Sequence, residues 1–400
     1  MLSEEELKAA GASGATGATG KPSLLSRLWN RPITRLAMIS AALVAIVLVI
    51  ALPAALASGG GGDSNSDDSS SDSSGSGSDK PSPTSTSGST PTATIMSPGC
   101  GISHSTGWSN ATDSHSIMVG SDNRTYAINV PSHYNDKNDS PWPLIVDYHG
   151  AGNDPLNEYN NSRYWAYDRG EEYIVVYPQG RAGLWLGAEY SWDVDDFQFS
   201  ADLLSHINET YCIDQDRIYA SGKSNGAGFV DMLACSDEGD PFAAFALASA
   251  ALYGDTDLHP TDFKDMKECR KSRALLEVHG GEDEVVPYNG QKNGEGGPSP
   301  SIPEWNNWWA RRDGCKKNVE GTSTNNTDAG YNTTTYSCDG YDDILKFMYV
   351  PEMNHCWPSP DGNNSDASAR PTGCAYRGLD FTETVLDWFE KWNKTNVPTN

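Results

Sequence analysis

Between residues 142 and 350 the chain repeats one pattern: a short run rich in Val, Ile, Leu or Ala, a turn, then a helical stretch. "WPLIVDYHGAGN" (142–153) reads as a buried strand ending in a glycine loop, and "YIVVYPQG" (173–180) as a second strand. "FSADLLSHINETY" (199–211) is helical, with Leu203, Leu204 and Ile207 on one side. "RIYASGKSNGAGFVDMLAC" (217–235) gives strand, turn and helix. "FAAFALASAAL" (242–252), "RALLEVHGGEDEVVPY" (273–288) and "DILKFMYVPEMNHCWP" (343–358) each start as a strand. "PEWNNWWARRDGC" (303–315) is a helix, and "LDFTETVLDWFEKWNK" (379–394) closes the pattern as an amphipathic one. Apolar runs of this kind have no polar side to turn to water. Alternating with helices, they predict an α/β architecture: a mostly parallel sheet with helices on both faces.

In such a sheet the functional groups sit on loops beyond the carboxyl ends of the strands. After 217–221 comes Gly222-Lys223-Ser224-Asn225-Gly226, the Gly-x-Ser-x-Gly elbow in which a strained turn lifts a serine hydroxyl above the sheet edge. After 273–278 comes Asp283, in "HGGEDEVVPY", with Glu282 and Glu284 as competing acids and Asp257 as a further candidate. After 343–350 comes His355. The order nucleophile, acid, histidine is that of α/β-hydrolases. A serine hydroxyl needs a base beside it, imidazole can act as that base near neutrality, and a carboxylate behind the ring fixes its tautomer. Backbone amides must hold the oxyanion: Asn225 follows the nucleophile, and the loop His149–Gly152 supplies a second donor, assigned to Ala151. His149 and His279 each precede a glycine at a strand end and read as structural.

Upstream of this region the chain changes character. Residues 36–57, "LAMISAALVAIVLVIALPAALA", carry no charge, and as a helix would extend about 33 Å, enough to cross a bilayer. Lys21, Arg27, Arg31 and Arg35 precede the segment, which places residues 1–35 in the cytosol and the rest across the membrane. Its length and polar leader favour a signal anchor; "ALAS" at 55–58 leaves open a long signal peptide cut near Ala57. Residues 58–98 form a Gly/Ser/Asp tether grading into a Pro/Thr/Ser stalk that cannot bury a core, leaving 99–400 as the folded domain. All 8 cysteines lie at or after Cys100. Asn-x-Ser/Thr sequons begin at Asn110, Asn123, Asn138, Asn160, Asn208, Asn325, Asn332, Asn363 and Asn393. This one-sided placement points to the secretory route, with disulfides and N-glycans, and so to an extracellular protein, tethered or released. There is no Cys-x-x-Cys pair, so a structural zinc site is a poor alternative to disulfides. A formal charge of -26 argues against a nucleic-acid partner.

The stretches "SPGCG" (97–101), "WPLIVDYHGAG" (142–152), "WDVDDFQFSADLL" (192–204), "YCIDQDRIYASGKSNGAGFVDMLAC" (211–235), "AFALASAALY" (244–253), "LLEVHGGEDEVVPY" (275–288) and "MNHCWP" (353–358) resemble fungal feruloyl esterases of carbohydrate esterase family 1 and the related polyhydroxybutyrate-depolymerase-like esterases. They run in the same order over most of 97–394. The resemblance implies an α/β-hydrolase fold without cofactor or metal, and Ser224, Asp283 and His355 as nucleophile, acid and base. It further implies hydrolysis of esters such as feruloyl groups on the arabinose side chains of plant cell-wall xylan. It also implies a disulfide between Cys315 and Cys338; Cys100, Cys212, Cys235, Cys269, Cys356 and Cys374 stay unassigned. The tannase-related group carries cysteines beside both serine and histidine. Here Lys223 and Asn225 flank the serine, so that group is set aside.

An aromatic acyl group needs a flat apolar slot, for which Trp192, Trp357 and Tyr190 are candidates, core packing being their alternative role. Two other readings stay open. One is an acetylxylan esterase or polyester depolymerase on the same scaffold. The other is a wall-tethered carbohydrate-binding protein without turnover.

Overall fold

The computed structural model describes residues 96–398 except 112–114, 189–190, 192–193, 254–268, 270, 295, 316–320, 327–329 and 361–377. These residues belong to one compact unit, Ser89–Asn400. The apolar segment 36–57 and the stretch 58–98 lie outside the described residues, apart from 96–98. Among the described residues no helix is long and apolar enough to cross a membrane.

In chain order the strands are β1 (Gly107–Ser109), β2 (Ser116–Val119), β3 (Asp122–Val130), β4 (Trp142–Tyr148), β5 (Ile174–Pro178), β6 (Ile213–Lys223), β7 (Ala244–Ala248), β8 (Ala274–Gly280), β9 (Gln291–Gly294), β10 (Gly297–Ser299), β11 (Thr322–Asn326), β12 (Tyr331–Cys338) and β13 (Tyr341–Val350). Helices of two or more turns are α1 (Pro155–Ser162), α2 (Asp196–Thr210), α3 (Asn225–Cys235), α4 (Ile302–Arg312) and α5 (Phe381–Lys391). β9 and β10 form a separate hairpin. The other strands make one sheet in the order β1-β3-β5-β4-β6-β7-β8-β13-β12-β11, with β2 paired to β3.

The run from β5 through β4, β6, β7 and β8 to β13 is parallel. β4, β5, β7 and β8 are buried at every residue, as strands covered on both faces must be. The flanks differ from the sequence expectation. β1, β2 and β3 add antiparallel strands at one edge, and β12 and β11 at the other. Together with the elbow after β6, described below, this is an α/β-hydrolase architecture.

Helix starts follow local chemistry. Asp154, Asp195 and Asp380 each cap a helix by accepting a backbone N–H, and Ser301 with Glu304 forms a capping box before α4. On α3 the buried Asp231 accepts the indole N–H groups of Trp305 (3.2 Å) and Trp309 (2.9 Å), which ties α4 to α3. Burial pushes that carboxyl up to about 7, against the two indole donors.

At the amino end of the unit, Cys100 is bonded to Cys212. The Ser97 hydroxyl donates to the Tyr211 carbonyl (2.7 Å) and accepts from the Ile213 amide (2.9 Å). The chain is thus stapled to the start of β6. Cys235 pairs with Cys269, and Cys315 with Cys338, the pairing that the family resemblance implies. Cys356 is disulfide-bonded too, and no described cysteine is free.

Candidate active site

Ser224 sits between β6 and α3 with φ 58° and ψ −121°, backbone angles that a residue with a side chain adopts only under constraint. The constraint is visible. Its amide donates to the Ala248 carbonyl at 2.9 Å, and its own carbonyl accepts from Gly228 (2.9 Å) and Ala251 (3.0 Å). The elbow's glycines allow the close packing this needs. A Cβ on Gly226 would collide with the carbonyl of Tyr148 at the end of β4, and one on Gly228 with the carbonyl of Ala251. The serine itself is 9% exposed, at the rim of the protein interior.

Asp283 and His355 meet. His355 donates from Nδ1 to Asp283 Oδ2 at 2.8 Å, while Asp283 Oδ1 accepts from the amides of Val285 (2.9 Å) and Val286 (2.8 Å). Burial works to raise the Asp283 carboxyl, but His355, His279 and the Val286 amide overcome it and hold the group below the usual carboxylate range. Glu282 and Glu284, its neighbours, are exposed. Asp257 lies outside the described residues.

With Nδ1 donating to Asp283, Nε2 of His355 is left as the nitrogen that can accept a proton. Nε2 is buried and has no hydrogen-bond partner, so no bond joins it to the Ser224 hydroxyl. What holds the two loops together is the end of β7. Ala248 receives the Ser224 amide, and the next residue, Ser249, donates its hydroxyl to the Cys356 carbonyl and accepts the Cys356 amide, both at 3.0 Å. Burial, and after it the charge of Lys223, push the His355 imidazole down to about 4, against the pull of Asp283.

Lys223, directly before Ser224, is wholly buried. Burial lowers its ammonium to about 8, opposed by the charges of Glu158 on α1 and Asp283. The sequence shows this lysine beside Ser224 but gives no sign that it is buried.

The oxyanion candidates lie on either side of the serine. Asn225 opens α3, and its side chain is fixed by Trp185: Oδ1 accepts the Trp185 amide (2.8 Å) and Nδ2 donates to the Trp185 carbonyl (3.1 Å). Ala151 is exposed in the loop after β4. A Cβ on Gly150 would lie 3.4 Å from Ser224 Cβ, so this loop passes close to Ser224. His149 holds the loop. Nδ1 donates to the Gly150 carbonyl (2.8 Å) and Nε2 accepts from the Gly180 amide (2.9 Å), which fixes a neutral tautomer. Burial, which lowers its imidazole to about 4, keeps it neutral.

Of the three aromatic slot candidates, Tyr190 and Trp192 lie outside the described residues. Trp357 belongs to the core. It is 0% exposed, its indole N–H donates to Thr382 (2.9 Å), and its ring meets Phe381 and Tyr164 edge-on. That corrects the expectation that it lines a slot: the side chain following Cys356 turns inward to satisfy its N–H. Among the described residues no group of three or more His, Cys, Asp or Glu could hold a metal ion.

No family model matches the chain. Three curated fungal proteins are similar to it. A bifunctional acetylxylan esterase/xylanase of Neocallimastix patriciarum is 30% identical over 149 residues, which are 36% of this chain and 20% of that protein. Feruloyl esterase B of Piromyces equi is 28% identical over 199 residues, 46% of this chain and 36% of that one. A probable feruloyl esterase C of Aspergillus niger is 27% identical over 241 residues, 56% of this chain and 80% of that one. The chain spans well under half the length of the first two relatives and most of the third.

Proposed function

We propose that this chain, similar to fungal feruloyl esterases, is a serine carboxylic-ester hydrolase that releases ferulic acid from feruloylated arabinoxylan. The observation that carries the reading is the hydrogen bond from His355 Nδ1 to Asp283, on loops tied through Ala248 and Ser249 to a serine held at φ 58°. Ser224 attacks the ester carbonyl and His355 Nε2 takes its proton. The oxyanion is held by the amides of Ala151 and Asn225, each donor worth on the order of 3 kcal/mol of transition-state stabilisation. His355 then protonates the departing sugar alcohol. Water, activated by the same nitrogen, attacks the acyl-enzyme and frees the acid, returning the proton to Ser224. Tyr190 and Trp192 remain the candidates for stacking on the aromatic acyl group.

The similarity to a bifunctional acetylxylan esterase/xylanase favours a second reading, deacetylation of xylan by the same residues. Comparing methyl ferulate, 4-nitrophenyl acetate and short hydroxybutyrate oligomers, with Ser224→Ala as the control, separates these and the polyester reading. Preference for methyl ferulate supports the first. Hydrolysis of all three equally by parent and Ser224→Ala sinks the nucleophile assignment, and an inert parent favours the carbohydrate-binding reading.

Secretory delivery belongs to the same proposal. Residues 36–57 act as a signal anchor or are removed near Ala57, and N-glycans cover the domain. None of the sequon asparagines among the described residues is buried, and three disulfides close among those residues.

A further inference from the structure

Glu277 and His279 are polar residues in a strand that is otherwise apolar and buried throughout. Two apart on a strand, they point to the same face. Both are fully buried. His279 Nδ1 lies 2.8 Å from Glu277 Oε1, and its Nε2 lies 2.8 Å from the Val286 carbonyl and 3.5 Å from Asp283 Oδ2. A carbonyl only accepts, so Nε2 carries a proton; a carboxylate at Nδ1 calls for a second. Burial alone would strip that second proton. The charge of Glu277 and its hydrogen bond, helped by Asp283 and the Val286 carbonyl, overcome burial and raise the imidazole above its ordinary value.

The consequence is geometric. Val286 is pinned at both ends: its amide donates to Asp283 Oδ1 and its carbonyl accepts from His279. The loop carrying Asp283 is wrapped around the His279 ring. Asp283 Oδ2 lies between two imidazoles, 2.8 Å from His355 and 3.5 Å from His279. The same turn is pressed against the histidine loop, since a Cβ on Gly280 would strike the carbonyl of Met353.

We propose that His279, bracketed by Glu277, is a positioning residue: it fixes the loop that presents Asp283 to His355 and lends that carboxylate a cation. The assignment rests on the esterase reading above. The charged and titratable groups facing His279 are Glu277 on its own strand, Asp283 on the following loop, Tyr288 beyond it, and Asp231 on α3 through Glu277. Those facing His355 are Asp283, Lys223 from β6 and His279 itself.

The test uses the full chain, with Glu277→Gln and His279→Gln beside the parent. Competent serines are counted with a fluorophosphonate, so that a misfolded fraction drops out. Per competent site, His279→Gln is expected to lose about 10²-fold in kcat, the scale of a slight misplacement of reacting groups, with KM within twofold of the parent. In both variants the acid limb of kcat/KM should move to higher pH, because a cation that disfavours protonation of His355 is gone. A residue that only filled space would leave that limb in place once sites are counted. Unchanged kcat and an unchanged limb in both variants overturn the proposal. Nitrogen-15 NMR of the parent's histidines tests it without turnover: both His279 ring nitrogens should be protonated at neutral pH, and a neutral ring overturns it. An inactive parent whose His279 is doubly protonated fails the esterase reading and leaves the pinned loop standing.

Discussion

The parallel centre of the sheet and its β11–β12 edge obey opposite rules. β7 reads Ala-Phe-Ala-Leu-Ala and is buried at every position, whereas β11 reads Thr-Ser-Thr-Asn-Asn and is exposed at every position. Polar side chains on an edge cost nothing, because water completes their hydrogen bonds, and they discourage pairing with another chain. In the centre each must find a partner inside the protein or destabilise it. Polarity therefore carries information in one place and almost none in the other. Lys223, Glu277 and His279 are polar residues in central strands, and all three lie in or beside the proposed triad.

The sharpest way to break this contrast is at the site itself. Ser224→Ala should lower kcat by about 10⁶-fold with the thermal unfolding midpoint unmoved, read in matched hydrolysis and melting experiments. A large fall in both would mean that the residue is structural. Next comes pH. His355 accepts a proton only when neutral, and burial with Lys223 places its titration at about 4. Activity should therefore hold from neutral pH down to about pH 5 and fall as pH drops through about 4, in kcat/KM of the free enzyme. Lys223→Met should move that limb upward, since the repelling charge is removed.

Packing gives the third test. Gly226→Ala forces a methyl against the Tyr148 carbonyl and should cost about 3 kcal/mol in urea unfolding, the upper range of overpacking. Replacing Cys100 and Cys212 by serine should cost about 2 kcal/mol by the same measurement. At the other extreme Thr324→Ala, on the edge, should stay within about 0.5 kcal/mol of the parent. An edge substitution as costly as the glycine one would erase the distinction.

The same contrast explains what the sequence reveals. The central strands are legible because continuous apolar runs admit few other structures. Asp283 and His355, which meet in the structure, can be located because each follows such a run. The flanking strands escape notice: β11 is Thr, Ser and Asn, and half of β12 is Thr and Asn, a composition that also suits loops. Helix α1, "PLNEYNNS", is equally hidden, since its polar sequence has no apolar stripe and its start depends on Asp154 and Pro155. Trp357 misleads because position along the chain does not tell which way an indole points; the Thr382 hydroxyl decides that from 25 residues away. His279 is recognisable as structural, but its link to Val286 depends on how the following loop folds back.

The staple at Ser97 and Cys100 grips the beginning of β6, and Ser224 stands just past that strand's other end, after the 11 residues Ile213–Lys223. A bead or electrode coupled ahead of Ser97 would therefore hold the domain by its rear. The proposed triad would face away from the support, which would then not stand between it and an insoluble substrate.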